Sequence, residues 1–140
     1  MVITQKWELH PQLAQDTLAL GDLALSRVLL SRDANFPWII LVPRRAGVSE
    51  LIDLPDAEQQ ELLKEVTQTS RGLKRATECD KLNIAAIGNM VPQLHVHVVA
   101  RRKTDALWPK PIWGVLPPTA YATGELERVA AALGGAIGLK

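Results

Sequence analysis

The sequence predicts an α+β domain with a mainly antiparallel sheet. Three stretches carry that expectation. WIILVP, residues 38–43, is an apolar and largely β-branched run. A long amphipathic segment begins at Asp56. PQLHVHVVARR, residues 92–102, alternates apolar and polar side chains. The order of hairpin, strand, helix and two further strands groups the strands around one long helix instead of interleaving them as βαβ units.

In chain order, LHPQLAQDT suits one or two helical turns. TLALGDLALSRVLLSRD holds two apolar runs split by Gly21-Asp22, which reads as a hairpin turning there. WIILVP lies between Pro37 and Pro43, as a short central strand covered on both faces would. From Asp56 to Thr77, Leu62, Val66, Thr69, Leu73 and Ala76 recur at threes and fours and form one stripe. Glu61, Lys64, Glu65, Arg71, Lys74 and Glu78 lie mostly off it. Asp56 with Gln59 three residues later reads as a capping box, while Gly72 costs the helix about 1 kcal/mol relative to alanine. KLNIAAIGN reads as a strand ending at Gly88, and MVPQLHVHVVARR as the next strand, with a tight turn at Gly88 and Pro92 between them. Residues 102–118, with Pro109, Pro111, Pro117 and Pro118, read as packed but irregular. A last helix starts near Glu125 and is weakened by Gly134 and Gly135.

The length of 140 residues fits one domain and is enough to bury a core without a disulfide or metal staple. Sixteen basic against fifteen acidic residues give a net charge of +1, which offers no general reason to expect nucleic-acid or membrane binding. Cys79 is the single cysteine, so no intrachain disulfide forms and a reducing cytoplasm is the natural compartment. The first residues show no signal-peptide core, and no apolar run reaches the roughly 20 residues of a membrane span.

The chemistry concentrates in PQLHVHVVARR. In a strand, Leu94, Val96, Val98 and Ala100 point to one side, all apolar and facing a core. Gln93, His95, His97, Val99 and Arg101 point to the other. Three readings are open at this point. The two imidazoles could be ordinary members of a packed or solvated strand face. They could be metal ligands, but zinc needs a third or fourth partner, and nothing in the pattern draws His10, Asp33 or Cys79 toward them. They could be catalytic: a neutral imidazole is a competent nucleophile toward phosphorus near neutral pH, and a second imidazole or backbone N–H groups would stabilise the charged oxygens.

GNMVPQLHVHVVARR resembles the signature of the histidine triad superfamily, a strand reading His-φ-His-φ-His-φ-φ with φ apolar. Gln93-Leu94-His95-Val96-His97-Val98-Val99 fits at every position but the first, and Gly88 and Val91 fit the preceding loop. The upstream order of a hairpin, a strand ending LVPRR and a long helix agrees, and the resemblance covers about residues 15–105, with an irregular extension at 106–140. It is nearest to the bacterial, diadenosine-polyphosphate-hydrolase-like branch. The resemblance implies a five-stranded, mainly antiparallel sheet with one long and one short helix, usually in a homodimer. It implies nucleotide phosphates as substrates; the residue pattern itself leads us to expect no cofactor and no metal. The nucleophile would be His95, which becomes nucleotidylated and is released by water, and His97 would contact the phosphate oxygens. Gln93 takes the place of the first histidine, which orients the nucleophile; it can exchange hydrogen bonds but cannot shuttle a proton. Asn89 matches a polar glutamine of the preceding loop, and Met90 stands where the family often has a hydroxyl. Arg32 and Asp33 fall where the family holds the ribose. The alternative implied by Gln93 and Met90 is a nucleotide-binding module without turnover.

Trp38 and Trp113 are candidates for a base site or for packing. His10 and Cys79 read as structural, and Arg44-Arg45 as a solvated strand end.

Overall fold

The structure, a computed structural model describing residues 5–139, orders its elements as α1 (Pro11–Asp16), β1 (Thr17–Asp22), β2 (Ser26–Ser31), β3 (Trp38–Pro43), α2 (Asp56–Thr77), β4 (Lys81–Ala85), β5 (Val96–Arg101) and α3 (Glu125–Ile137), with a 3-10 turn at Leu51–Asp53. Residues 1–4, part of the stretch read for a targeting signal, lie outside the described residues. The five strands form one sheet in the order β1-β2-β3-β5-β4, every neighbouring pair antiparallel. The apolar run at 38–43 is therefore the middle strand, as its composition predicted.

The two faces of the sheet have different covers. On one, Val28, Leu30, Ile39, Leu41, Val96, Val98 and Ala100 pack against Leu62, Val66 and Leu73 of α2 and Leu133 and Ile137 of α3. On the other, Leu29, Ile40 and Val42 meet Leu13, Trp7 and Leu9 of the N-terminal segment. There too, Phe36 and Val99 meet Ile112, Leu107 and Trp113 of the irregular tail. The period-two reading of β5 is thus correct: its even-numbered residues enter the helix-covered core.

Several local expectations need correction. The hairpin does not turn at Gly21-Asp22. Gly21 sits inside β1 at a bulge, with φ +149°, and the turn lies three residues later, closed by Leu23 N–H donating to Ser26 O at 2.8 Å. A bulge adds one residue to a strand, and glycine takes the backbone angles it needs. Asp56 does not cap α2; Pro55 holds the N-cap position and Gln59 Nε2 donates to Leu54 O at 2.9 Å. Ala76 is exposed, whereas Glu65 is buried on the inner side of α2. The Glu65 carboxylate is satisfied there by Leu25 N–H at 2.7 Å and Ser26 N–H at 2.9 Å, so it holds the hairpin turn to the helix. Arg44 is no free strand end: its guanidinium donates to the Leu23 and Ala24 carbonyls, and Arg45 pairs with Glu58.

The last helix runs through Gly134 and Gly135 to Ile137. Burial of Leu133 and Ile137 against the main core outweighs the roughly 1 kcal/mol that each glycine costs. Gly72 explains how close α3 comes: a Cβ there would lie 2.6 Å from Ala136 O. The glycine that weakens α2 in isolation is what lets the two helices touch. Residues beyond 105 are thus irregular only as far as α3.

Candidate active site

β4 ends at Ala85 and β5 begins at Val96, so both strands are shorter than their sequence patterns suggested. Residues 86–95 between them form a loop with Gly88 in the left-handed region at φ +70°. The pairing of β3 with β5 sets Ile40 opposite His97 and Trp38 opposite Val99. Trp38 is therefore the diagonal neighbour of His97 on the same face, within reach of a large side chain. His95 lies one residue before β5, on the same side, its ring 4.9 Å from that of His97 and steeply inclined to it.

Each imidazole has one ring nitrogen committed to a partner, and the two partners have opposite chemistry. His95 Nδ1 lies 2.7 Å from the main-chain oxygen of Gln93. A carbonyl only accepts, so Nδ1 carries the proton and Nε2 keeps its lone pair. His97 Nδ1 receives the Trp38 indole Nε1–H at 3.0 Å. An indole only donates, so His97 Nδ1 is the lone pair and Nε2 carries the proton. Burial, and secondarily the charge of a protonated His95, pull the His97 pKa down to about 4 from the ordinary value of 6.5. His97 is neutral at neutral pH. The pair is one uncommitted lone pair beside one N–H donor, both on buried rings.

Both rings line a cavity of about 730 Å³. Its floor is the sheet face at Trp38 and Ile40. One wall is Leu13, Asp16 and Thr17; another is the 87–91 loop; the roof is the tail from Ile112 to Ala120. Asn89, Arg32 and Asp33 all line it, so the structure brings these expected residues together with His95 and His97. Asn89 is exposed on the loop. Asp33 Oδ1 accepts from Asn35 N–H at 3.0 Å and Thr119 N–H at 3.1 Å, pinning the tail over the site. Arg32 Nε donates to Thr17 O at 3.3 Å. Trp113 sets its edge near His97, with ring centroids 5.4 Å apart, and Trp38 packs against both rings, 5.6 Å from His97 and 6.5 Å from Trp113.

Two expected members of the polar face behave differently. The Gln93 side chain makes its hydrogen bonds elsewhere than to His95. It lies in a bend before the strand begins, and its amide is taken up by the N-terminal segment. Arg101 is not free for an anion: it is buried, chelated by both Asp105 oxygens at 2.8 and 3.0 Å, and bonded to Asn83 Oδ1 at 2.9 Å. His10 is structural, its Nδ1 capping α1 through Gln12 N–H at 3.1 Å. Among the described residues no three His, Cys, Asp or Glu side chains converge on a metal position, and no helix is long and apolar enough to cross a membrane. Trp38 as a partner of His97 was missed in the sequence, because the contact depends on strand register.

The chain and its fold are similar to known proteins. The model of the HIT domain family matches residues 12–104. A histidine triad protein from Bradyrhizobium japonicum is 52% identical and superposes with a TM-score of 0.92 over 95% of this chain and 99% of its own. A histidine triad protein from Marinobacter aquaeolei VT8 is 44% identical, with a TM-score of 0.92 over 95% and 97%. The bis(5'-adenosyl)-triphosphatase of Saccharomyces cerevisiae is 33% identical over 72 residues, 48% of this chain. The chain spans about a third, 35%, of the length of that relative.

Proposed function

The chain belongs to the HIT domain family, and on that premise we propose that it is a nucleotidyl hydrolase or transferase in which His95 attacks the phosphorus of a nucleotide. The observation that carries the reading is the opposite protonation of the two rings. The neutral His95 ring offers a lone pair at Nε2, and His97 Nε2–H offers a donor beside it. Attack forms the Nε2–phosphorus bond and breaks the bond to the leaving group. His97 Nε2–H donates to a phosphate oxygen and stabilises the charge that builds on it. Water then attacks the nucleotidyl-histidine, releasing the nucleoside monophosphate and restoring the imidazole. The Gln93 carbonyl keeps the proton on Nδ1 and the nucleophilic nitrogen free.

The bond broken is a phosphoanhydride, as in diadenosine polyphosphates, or a nucleoside phosphoramidate. Asp33 Oδ2, opposite the oxygen that clamps the tail, and Arg32 are assigned to the ribose end, and Asn89 to the phosphate end. A second reading, binding without turnover, has one observation in its favour: Met90 is 94% exposed at the rim and brings no hydroxyl to the leaving group. Incubation with diadenosine polyphosphates and adenosine phosphoramidates, beside His95→Ala, separates the two. Turnover lost in the variant supports catalysis. Equal inertness, with AMP still raising the melting temperature, leaves only binding. We also propose a homodimer through the β4 edge of the sheet, where Ile84 is exposed.

A further inference from the structure

We propose that the N-terminal segment at residues 8–10 is a working part of the site, and that Gln93 is the positioning residue through which it holds the nucleophile. Two bonds tie the Gln93 amide to this segment: its Oε1 accepts from His10 N–H at 2.9 Å, and its Nε2 donates to Glu8 O at 2.9 Å. A primary amide presents an acceptor and a donor side by side, as the C=O and N–H of a single residue do along a strand edge, and so pairs with main-chain atoms two residues apart. The two nitrogens of an imidazole diverge across a ring and cannot make both bonds.

The main-chain oxygen of the same residue accepts from His95 Nδ1. The position of that oxygen therefore decides which tautomer His95 adopts and where its Nε2 points. The sheet does not fix it, because the β5 ladder starts only at Val96. One end of that carbonyl's peptide plane is held, since Leu94 N–H, in the same planar unit, donates to Val48 O at 3.0 Å. The Gln93 side chain adds a second restraint, on the Cα side of that plane, and the segment it grips is itself anchored. The Trp7 ring lies under the Arg27 guanidinium at 5.0 Å, and Trp7 and Leu9 pack on the Leu29, Ile40 and Val42 cluster. The chain of bonds runs from residues 8–10, through the Gln93 amide and carbonyl, to His95 Nδ1.

The inference rests on His95 as nucleophile, but one of its readouts does not need turnover. His10 has φ −55°, an angle that proline adopts without strain, and His10→Pro deletes the N–H that Gln93 Oε1 accepts. His10→Ala is the reference, since it removes the same imidazole and keeps the N–H. In ¹⁵N-histidine-labelled protein, His95 of the reference should show the Nδ1–H tautomer, and His10→Pro should show a mixture. With a nucleotide substrate, kcat should fall on the order of tenfold against the reference, with KM little changed, as misorientation of a reacting group does. Gln93→Glu, which puts a second oxygen against Glu8 O, should reproduce both effects. Identical His95 ring signals in His10→Pro, Gln93→Glu and the reference would overturn the inference, and so would equal kcat values. If no nucleotide is turned over by the unmodified chain, the proposed function fails, and the ring-nitrogen signals still decide this one.

Discussion

The indole Nε1–H of Trp38 donates to Nδ1 of His97 across 3.0 Å, and that single bond fixes the protonation of His97. A second proton on His97 would set two donors against each other. The bond and the burial act in the same direction, toward a neutral ring with its Nε2–H turned to the cavity.

A pH dependence of stability follows. The His97 pKa is about 4 in the folded chain and about 6.5 when unfolded. Between these values the unfolded chain binds a proton that the folded chain does not. The contribution of this ring is thus fully present above pH 6.5 and is lost as pH falls toward 4, by about 2–3 kcal/mol. Urea unfolding of the unmodified chain and His97→Gln, measured from pH 7 to 4, should show the variant losing less stability over that window. Trp38→Phe, which removes the donor, should lower kcat about fivefold, as loss of a hydrogen bond worth about 1 kcal/mol does.

If the cavity binds a nucleotide as proposed, its lining should discriminate between leaving groups. Among the described residues Arg32 is the one lysine or arginine lining it, beside Asp16 and Asp33, and its rim carries the exposed apolar side chains Ile87, Met90 and Leu116. A tri- or tetraphosphate chain would bring several negative charges with little to neutralise them; an apolar amine would cover the rim. Adenosine phosphoramidates of apolar amines should therefore show a kcat/KM at least about tenfold above diadenosine tetraphosphate, a difference of about 1.4 kcal/mol. Steady-state comparison of the two substrate classes at fixed ionic strength checks it, and the reverse order would refute the electrostatic argument.

The tail that roofs the site depends on a buried ion pair. Arg101 is almost completely buried, and the bidentate bond to it holds the Asp105 carboxyl at a pKa of about 2. Asp105→Ala should cost about 3–5 kcal/mol, because it leaves a buried guanidinium unpaired. The double variant Arg101→Met with Asp105→Leu should cost less than Asp105→Ala alone. Thermal unfolding of the three proteins provides the test.

At Gly72 two effects of opposite sign compete. Alanine gains about 1 kcal/mol of helix propensity. Its Cβ, however, would sit 2.6 Å from Ala136 O, a main-chain atom that cannot swing aside. Overpacking of this kind costs about 1–3 kcal/mol, so Gly72→Ala should lower the melting temperature, where an exposed helical glycine would raise it.

These particulars also mark which parts of the molecule can be read from residues in order. The facing of His95 and His97 was legible, since it needs only the period of two within one strand. The central placement of residues 38–43 was legible from an unbroken apolar run. Asp33 stood out in the sequence only as a candidate for the ribose end, and its role in clamping the tail was not legible there. What stayed hidden depends on partners distant in the chain. Trp38 meets His97 through strand register. Glu65 looked like a surface charge because its partners are two main-chain N–H groups 39 and 40 residues earlier. Gln93 continued the alternation on paper, but the ladder starts three residues later, and its amide answers to residues 8–10.

The central claim, attack by His95 on phosphorus, is tested most directly by stereochemistry at that atom. Each in-line displacement inverts phosphorus, so a nucleotidyl-histidine intermediate gives two inversions. With a substrate chiral at the α-phosphorus, hydrolysed by the unmodified chain in isotopically labelled water, the product should show overall retention. Overall inversion would mean that water attacks directly, and would contradict the account.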